Sequence, residues 1–289
     1  MCYKDNCLVC KHNQSDICRS IRQMKRTPVA TAPTPYRLSE NAMLFEVGDK
    51  PGLVGVLKRG YLRRERLTRE GDRTVIGLDL PGDLVGELPG RTVKYTLEAA
   101  TDCEICHFEP SAVERFIDED AVFRRGVVAA MDEQLLRQLN MALIRGALSS
   151  RERILAFLLW ASTMIPCEPL PDGSVVISVP VGRKDWADLC NTSMETISRL
   201  MTELSVAGIV THLEGKRYRV QDPARLVEMA GLDDPFFTDT HPRHPTLLTA
   251  INAVSRKNGT SEAERPKYGA RPGRTKPPEV DHGTGKTQG

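Results

Sequence analysis

The sequence predicts an α+β chain: an N-terminal β-roll, a long central helix and a C-terminal winged helix-turn-helix. Three observations carry that prediction. Across residues 36–110, short β-prone runs alternate with Gly, Pro and Asp turns, the spacing of a small barrel or roll. From Ala121 to Ala147 the period changes, and apolar residues recur at steps of three and four. Beyond Gly182, two short helical segments flank a tight turn and a hairpin follows them.

Length and composition bound what such a chain can do. Its 289 residues suit about two domains plus tails, and a hydrophobic content of 40% supports a core. The formal net charge is only +2, so contact with nucleic acid must come from a local basic patch. No apolar run approaches the length of a membrane span, and Met1 to Cys7 carry no apolar signal-peptide core. The expected location is therefore the cytoplasm, with no membrane partner. Eight cysteines in such a chain point to metal ligation or redox chemistry more than to disulfides. We find no nucleophile–base pair, no Gly-rich nucleotide loop and no Cys-x3-Cys-x2-Cys motif, so no catalytic residue is assigned and an enzyme is not expected.

Taken in order, residues 1–35 form a Cys-rich arm and a Pro/Thr/Ala linker. The arm holds Cys2, Cys7, Cys10 and Cys18. Residues 36–115 form the β-roll, with strands expected over 42–47, 54–58, 61–68, 74–80, 95–100 and 103–108, each closed by a turn signal such as Gly48-Asp49 or Pro81-Gly82-Asp83. Ser111 and Glu114 have the spacing of a capping box and predict a short helix there.

Residues 116–148 form the long helix. Val128, Met131, Leu135, Leu139 and Ala142 make a coiled-coil-like seam, which suits pairing with a second copy. Residues 149–231 form the winged domain, opened by a second capping box, Ser149 with Glu152.

The chemistry concentrates at 182–220. Trp186, Ala187 and Leu189 supply the inner face of the first helix, and Cys190-Asn191-Thr192 makes the turn. Asn tolerates the left-handed backbone that such a turn needs. Ser193 is an N-cap, and Ile197, Leu200, Met201 and Leu204 line one face of the second helix. Met194, Glu195, Ser198 and Arg199 are left on the outer face, near the helix N-terminus, where a recognition helix meets the major groove of double-stranded DNA. Arg bridges guanine O6 and N7, Glu accepts from cytosine N4, and Met packs on a thymine methyl. Lys216, Arg217 and Arg219 on the hairpin are placed for phosphates. Residues 232–289 are rich in Pro, Gly, Thr, Lys and Arg and are expected to be disordered.

These motifs, in this order, resemble the CRP/FNR regulators, the family of the catabolite activator protein and the FNR oxygen sensor. The resemblance covers about residues 36–231, and the N-terminal cysteines extend it. It implies a β-roll like a cyclic-nucleotide-binding domain, a dimerisation helix and a winged helix that binds DNA. Glu195-Thr-Ile-Ser-Arg-Leu200 is similar to the FNR branch, where these positions read TTGAT half-sites in an inverted repeat. Carried over, Arg199 contacts the guanine, with Glu195 and Ser198 on neighbouring bases. Arg183 and Asp185 also resemble FNR segments, and Asn191 replaces the usual turn glycine.

The FNR branch holds a [4Fe–4S] cluster on three N-terminal cysteines and one from the end of the β-roll. By that resemblance the ligands are Cys7, Cys10, Cys18 and Cys103, Cys103 being favoured by its Cys-Glu-Ile context. Two alternatives stay open. Cys7, Cys10, His12 and Cys18 would also suit a closed zinc site. Cys106 could replace Cys103, because 103 and 106 face opposite sides of a strand.

Cys167 and Cys190 read as small buried hydrophobes. Gly86-Glu-Leu-Pro-Gly-Arg-Thr92 is similar to a cyclic-nucleotide phosphate cassette shortened to Pro89-Gly90, which removes most of the backbone donors a cyclic phosphate needs. The resemblance thus implies an oxygen-responsive homodimer that contacts RNA polymerase, with Arg73-Thr74 and Gly82-Asp83 as candidate contacts. A regulator of the same fold answering to nitric oxide, redox state or a cyclic nucleotide, or with a zinc-stabilised arm, is the alternative.

Overall fold

The computed structural model describes residues 16–23, 33–50, 52–87 and 90–230. The arm residues Cys2, Cys7, Cys10 and His12, most of the linker and the C-terminal tail lie outside these, as do Leu88 and Pro89 of the shortened cassette.

A short helix, α1 (Asp16–Gln23), precedes eight strands. These are β1 (Thr34–Leu38), β2 (Met43–Phe45), β3 (Val54–Arg59), β4 (Leu62–Leu67), β5 (Arg73–Asp79), β6 (Leu84–Gly86), β7 (Thr96–Ala99) and β8 (Cys103–Phe108). They form two antiparallel four-stranded sheets, β1-β8-β3-β6 and β2-β7-β4-β5. The apolar faces of the two sheets meet in one core: Leu38, Leu57 and Ile105 come from the first, and Phe45, Leu62 and Leu97 from the second. The residues expected to be strands are strands, with ends moved by one or two positions.

The strands β1 and β6 are not among those expected, and two segments differ further. Thr34-Pro35, read as linker, opens β1. A proline is admissible there because β1 is an edge strand and need not donate on its outer side. The Ser111 capping box does not form. The helix α2 (Pro110–Glu119) starts two residues earlier with Pro110 in its first turn, and its N-cap is Glu109 without a side-chain cap bond.

Asp120 caps the long helix α3 (Ala121–Ala147) by accepting from the N–H groups of Val122 and Phe123 at 2.8 and 2.9 Å. One side of α3 packs on the roll through Phe123, Ala130, Met141 and Ile144. It approaches β5 closely: a Cβ at Gly77 would lie 2.8 Å from the end of the Gln138 side chain, which would have to move aside.

The helix α4 (Ser150–Met164) opens with the expected Ser149–Glu152 capping box. Then come β9 (Glu168–Pro169), β10 (Val175–Ser178), α5 (Arg183–Leu189), α6 (Met194–Val206), β11 (Val210–His212), β12 (Arg217–Val220) and α7 (Pro223–Ala230). The third sheet runs β11-β12-β10-β9. Trp186 of α5 is buried at the centre, stacked on Phe157 at 5.5 Å and edge-on to Tyr218 at 5.9 Å. Among the described residues no helix is long and apolar enough to cross a membrane.

Candidate functional site

The turn between α5 and α6 is built as the residue types require. Asn191 takes a left-handed backbone at φ 46°, and the Ser193 hydroxyl accepts from the N–H of Thr196 at 3.1 Å, capping α6. Ile197, Leu200, Met201 and Leu204 are buried against α4 and α5. That fixes the roll of α6 about its axis and leaves Met194, Glu195, Ser198 and Arg199 outside. Met194 is 52% exposed, and the Glu195 and Arg199 side chains are 70% and 79% exposed. Arg199 rests on Glu195, an exposed i,i+4 pair of the kind worth about 0–1 kcal/mol, so its guanidinium leaves for another acceptor at little cost. Arg183 stands beside this surface, its guanidinium 3.4 Å from the Ser198 Oγ.

The wing differs from the sequence reading. Its cations already have acidic partners: Lys216 faces Glu40 of the β-roll at 3.5 Å, Arg217 pairs with Glu168 at 2.6 Å, and Arg219 pairs with Asp172. They are phosphate ligands only if these exposed pairs exchange.

The expected seam is one continuous exposed stripe. Val128, Met131, Leu135 and Leu139 are each between 57% and 62% exposed, and Ala142 is exposed beyond them. Leu136 and Leu143, which the spacing argument passed over, widen the stripe. Leucines this exposed on one face of a helix, with the opposite face already packed, mark an association surface.

The two β-roll cysteines are separated by the pleat. Cys103 points into the roll and joins its core, with its Sγ 3.3 Å from the Tyr61 carbonyl oxygen and 3.1 Å from that of Thr101. Burial pushes its thiol up to about 11. Cys106 lies on the outer face of the same strand. There it packs against the apolar group formed by Ile17, Val54, Val56, Phe108, Phe116, Phe123 and Ala130, and Cys18 of α1 packs against this same group. Alternation along β8 thus turns Cys103 inward and places Cys106 on the surface that also carries Cys18.

Residues of the candidate polymerase contacts have partners within the chain. Asp83 is buried and paired with Arg137 of α3. Arg73 turns toward α5, where it holds Asp185 at 3.0 Å and Glu65 at 2.6 Å. Within the roll, Arg64 pairs with the buried Asp79 at 2.5 Å and lies 4.7 Å above the Tyr95 ring. Burial holds the Asp79 carboxyl above its ordinary range, against the opposing pull of Arg64.

Comparison with known proteins agrees with this architecture. Residues 152–229 match the family model of the Crp-like helix-turn-helix domain, and residues 36–120 match that of the cyclic nucleotide-binding domain. The transcriptional activator protein FnrL of Cereibacter sphaeroides is 31% identical over 190 residues, 64% of this chain and 76% of that protein. The chain belongs to the CRP/FNR family of transcription regulators. The nitrogen fixation regulation protein FixK of Bradyrhizobium diazoefficiens is 27% identical over 230 residues, 78% of this chain and 93% of its own. The solved structure of FixK2 from Bradyrhizobium japonicum superposes with a TM-score of 0.61 at 21% identity, covering 68% of this chain and 96% of that one. Members of this family act on transcription, which agrees with the lack of any catalytic constellation in the sequence.

Proposed function

We propose that this CRP/FNR regulator is an oxygen-responsive transcriptional activator that binds TTGAT-type inverted repeats as a homodimer in the cytoplasm. The observation that carries the DNA reading is the exposed quartet Met194, Glu195, Ser198 and Arg199 on a helix whose other face is locked in the core. Arg199 would bridge the guanine while Glu195 and Ser198 meet neighbouring bases, and Arg183 would contact the backbone nearby. The α3 stripe would close the dimer and set the two α6 helices about one DNA turn apart. As an activator it would contact RNA polymerase.

For the signal, the donor set fits a [4Fe–4S] cluster held by Cys7, Cys10, Cys18 and Cys106. Cys106 is preferred to Cys103 because it shares an apolar surface with Cys18, whereas Cys103 packs into the core of the roll. Such a cluster supplies an oxygen-labile cross-link between arm and roll. The chain's own part is to seat Ile17 against Phe123 and Ala130, so that holding the arm also holds the first half of the dimer helix. FnrL and FixK, whose names denote an activator and a nitrogen-fixation regulator, support the part of this reading that concerns transcription. The cassette shortened to Pro89-Gly90, with few backbone donors for a cyclic phosphate, stands against a cyclic nucleotide.

Anaerobic purification followed by absorbance and iron and sulfide analysis, before and after oxygen, tests the proposal. An oxygen-bleached chromophore with four irons per chain is expected, from the stoichiometry of such clusters. A colourless protein carrying stoichiometric zinc refutes it.

A further inference from the structure

The DNA-reading domain shares its core with the rest of the molecule. Val75 and Leu78 of β5 and Met141 and Ile144 of α3 lie in the same apolar cluster as α4 to α7. Around that joint, directional polar bonds converge on the seven-residue helix α5. The Asp185 carboxylate, only 9% exposed, accepts from Arg63 at 3.2 Å and from Arg73 at 3.0 Å. Asp188 accepts from the backbone N–H of Val75 at 3.0 Å. Arg145, near the end of α3, donates to the carbonyl oxygens of Leu189 at 2.8 Å and Ile76 at 3.3 Å. One short helix is thus tied to the sensor sheet and to the dimer helix at once.

The reading face of α6 takes no part in this joint, so its direction is inherited from α5. Apolar contact alone is non-directional and tolerates sliding. A buried ion pair adds little net stability, so what these directional bonds would contribute here is a restricted set of arrangements of the joint. The charge balance at the joint points the same way. Arg63 and Arg73 already hold Glu65, and Arg63 also holds Glu98, so both cations have partners without Asp185. Asp185 is not needed to neutralise them, and what its contacts add is a fixed orientation between the two domains.

We propose that Asp185 and Asp188, with Arg63, Arg73 and Arg145, are positioning residues for DNA recognition. They set the distance and rotation between the two recognition helices of a dimer, and so its preference for one half-site spacing. This rests on the reading of the protein as a dimer on an inverted repeat.

The test uses the full-length chain and fluorescence anisotropy on TTGAT inverted repeats whose centre is varied one base pair at a time. Each added base pair shifts one half-site by about 3.4 Å and turns it by about 34°. The wild type is expected to prefer one spacing at least tenfold over its neighbours. Asp185→Asn, which keeps the shape and leaves the cations paired, should reduce that preference to less than threefold. Arg73→Ala should do the same from the other side of the joint, and Arg73→Lys should restore part of it. A role in stability alone would lower the active fraction and leave the ratio between spacings unchanged. Two folded variants that keep the wild-type ratio, or that bind every site more tightly, overturn the positioning role and leave the dimer reading standing. A wild type without spacing preference overturns both.

Discussion

Leu135 and Leu139 occupy the middle of the α3 stripe, and Leu135 is 57% exposed in the single chain. Complete burial of a leucine side chain is worth about 1.5–3 kcal/mol. With 57% of Leu135 still to be covered, roughly 0.9–1.7 kcal/mol is available when a second chain lands on it. A symmetric dimer uses the residue twice, so Leu135→Ala should weaken association by about 2–3 kcal/mol, or about 30–150-fold in Kd. Sedimentation equilibrium measures this directly. The fold should be unaffected, because the side chain contributes little to the core of the single chain, and thermal unfolding of dilute protein checks that. Binding to an inverted repeat should fall in parallel, since each half-site holds only one winged helix. An unchanged dimer Kd with unchanged DNA affinity would refute the assignment of this face.

Three further outcomes are expected. Arg199→Ala should cost about 1–3 kcal/mol on a TTGAT repeat and relax the preference for guanine, read by competition with substituted sites; unchanged discrimination would show that Arg199 does not touch the base. Cys106→Ala should abolish the oxygen-bleached absorbance while Cys103→Ala retains it, and the reverse pattern would return the ligand to Cys103. Burial pushes Cys103 and Cys167 up to about 11 and Cys190 up to about 12, from an ordinary thiol value of 9.0. The fold therefore holds three protons that the unfolded chain releases near pH 9, and the stability they contribute is complete below that pH and lost as the pH rises through 11 to 12. Native-state alkylation at pH 8 followed by peptide mapping should leave all three thiols unmodified, and rapid labelling of Cys103 would contradict its inward placement.

What could be read in advance was local. The ends of α3, α5 and α7, the left-handed Asn191 and the Ser193 cap follow from residue type and spacing within a dozen positions. The α3 stripe follows from a single period. What escaped depended on partners far along the chain. Asp185 meets Arg63 across 122 residues, and no spacing rule anticipates that pair. The acids that cover Arg217 and Arg219 lie more than 40 residues away, so the wing looked more available than it is. Choosing between Cys103 and Cys106 needed the direction of the pleat relative to the arm. The Cys-Glu-Ile context suggested one answer and the packing of Ile17 and Cys18 suggests the other. Pro35 misled because its tolerance depends on the sheet order, which makes β1 an edge.

The long helix is where the three proposed activities meet, and their order along it matters. Phe123 and Ala130 in its first half receive the arm, Val128 to Leu139 present the dimer stripe, and Arg145 reaches the recognition domain at its end. From Ala130 to Arg145 the helix rises about 22 Å at 1.5 Å per residue, a distance over which a packed helix moves as a unit. A signal at the arm can bias DNA binding only if it interacts differently with two positions of that unit. The contacts of Arg137 with Asp83 and of Gln134 with the Leu84 carbonyl oxygen, at 2.9 Å, supply a register between helix and roll that a shift along the axis would break. Because α5 is tied to the far end of this helix through Arg145 and Leu189, a change of that register would carry the recognition helix with it.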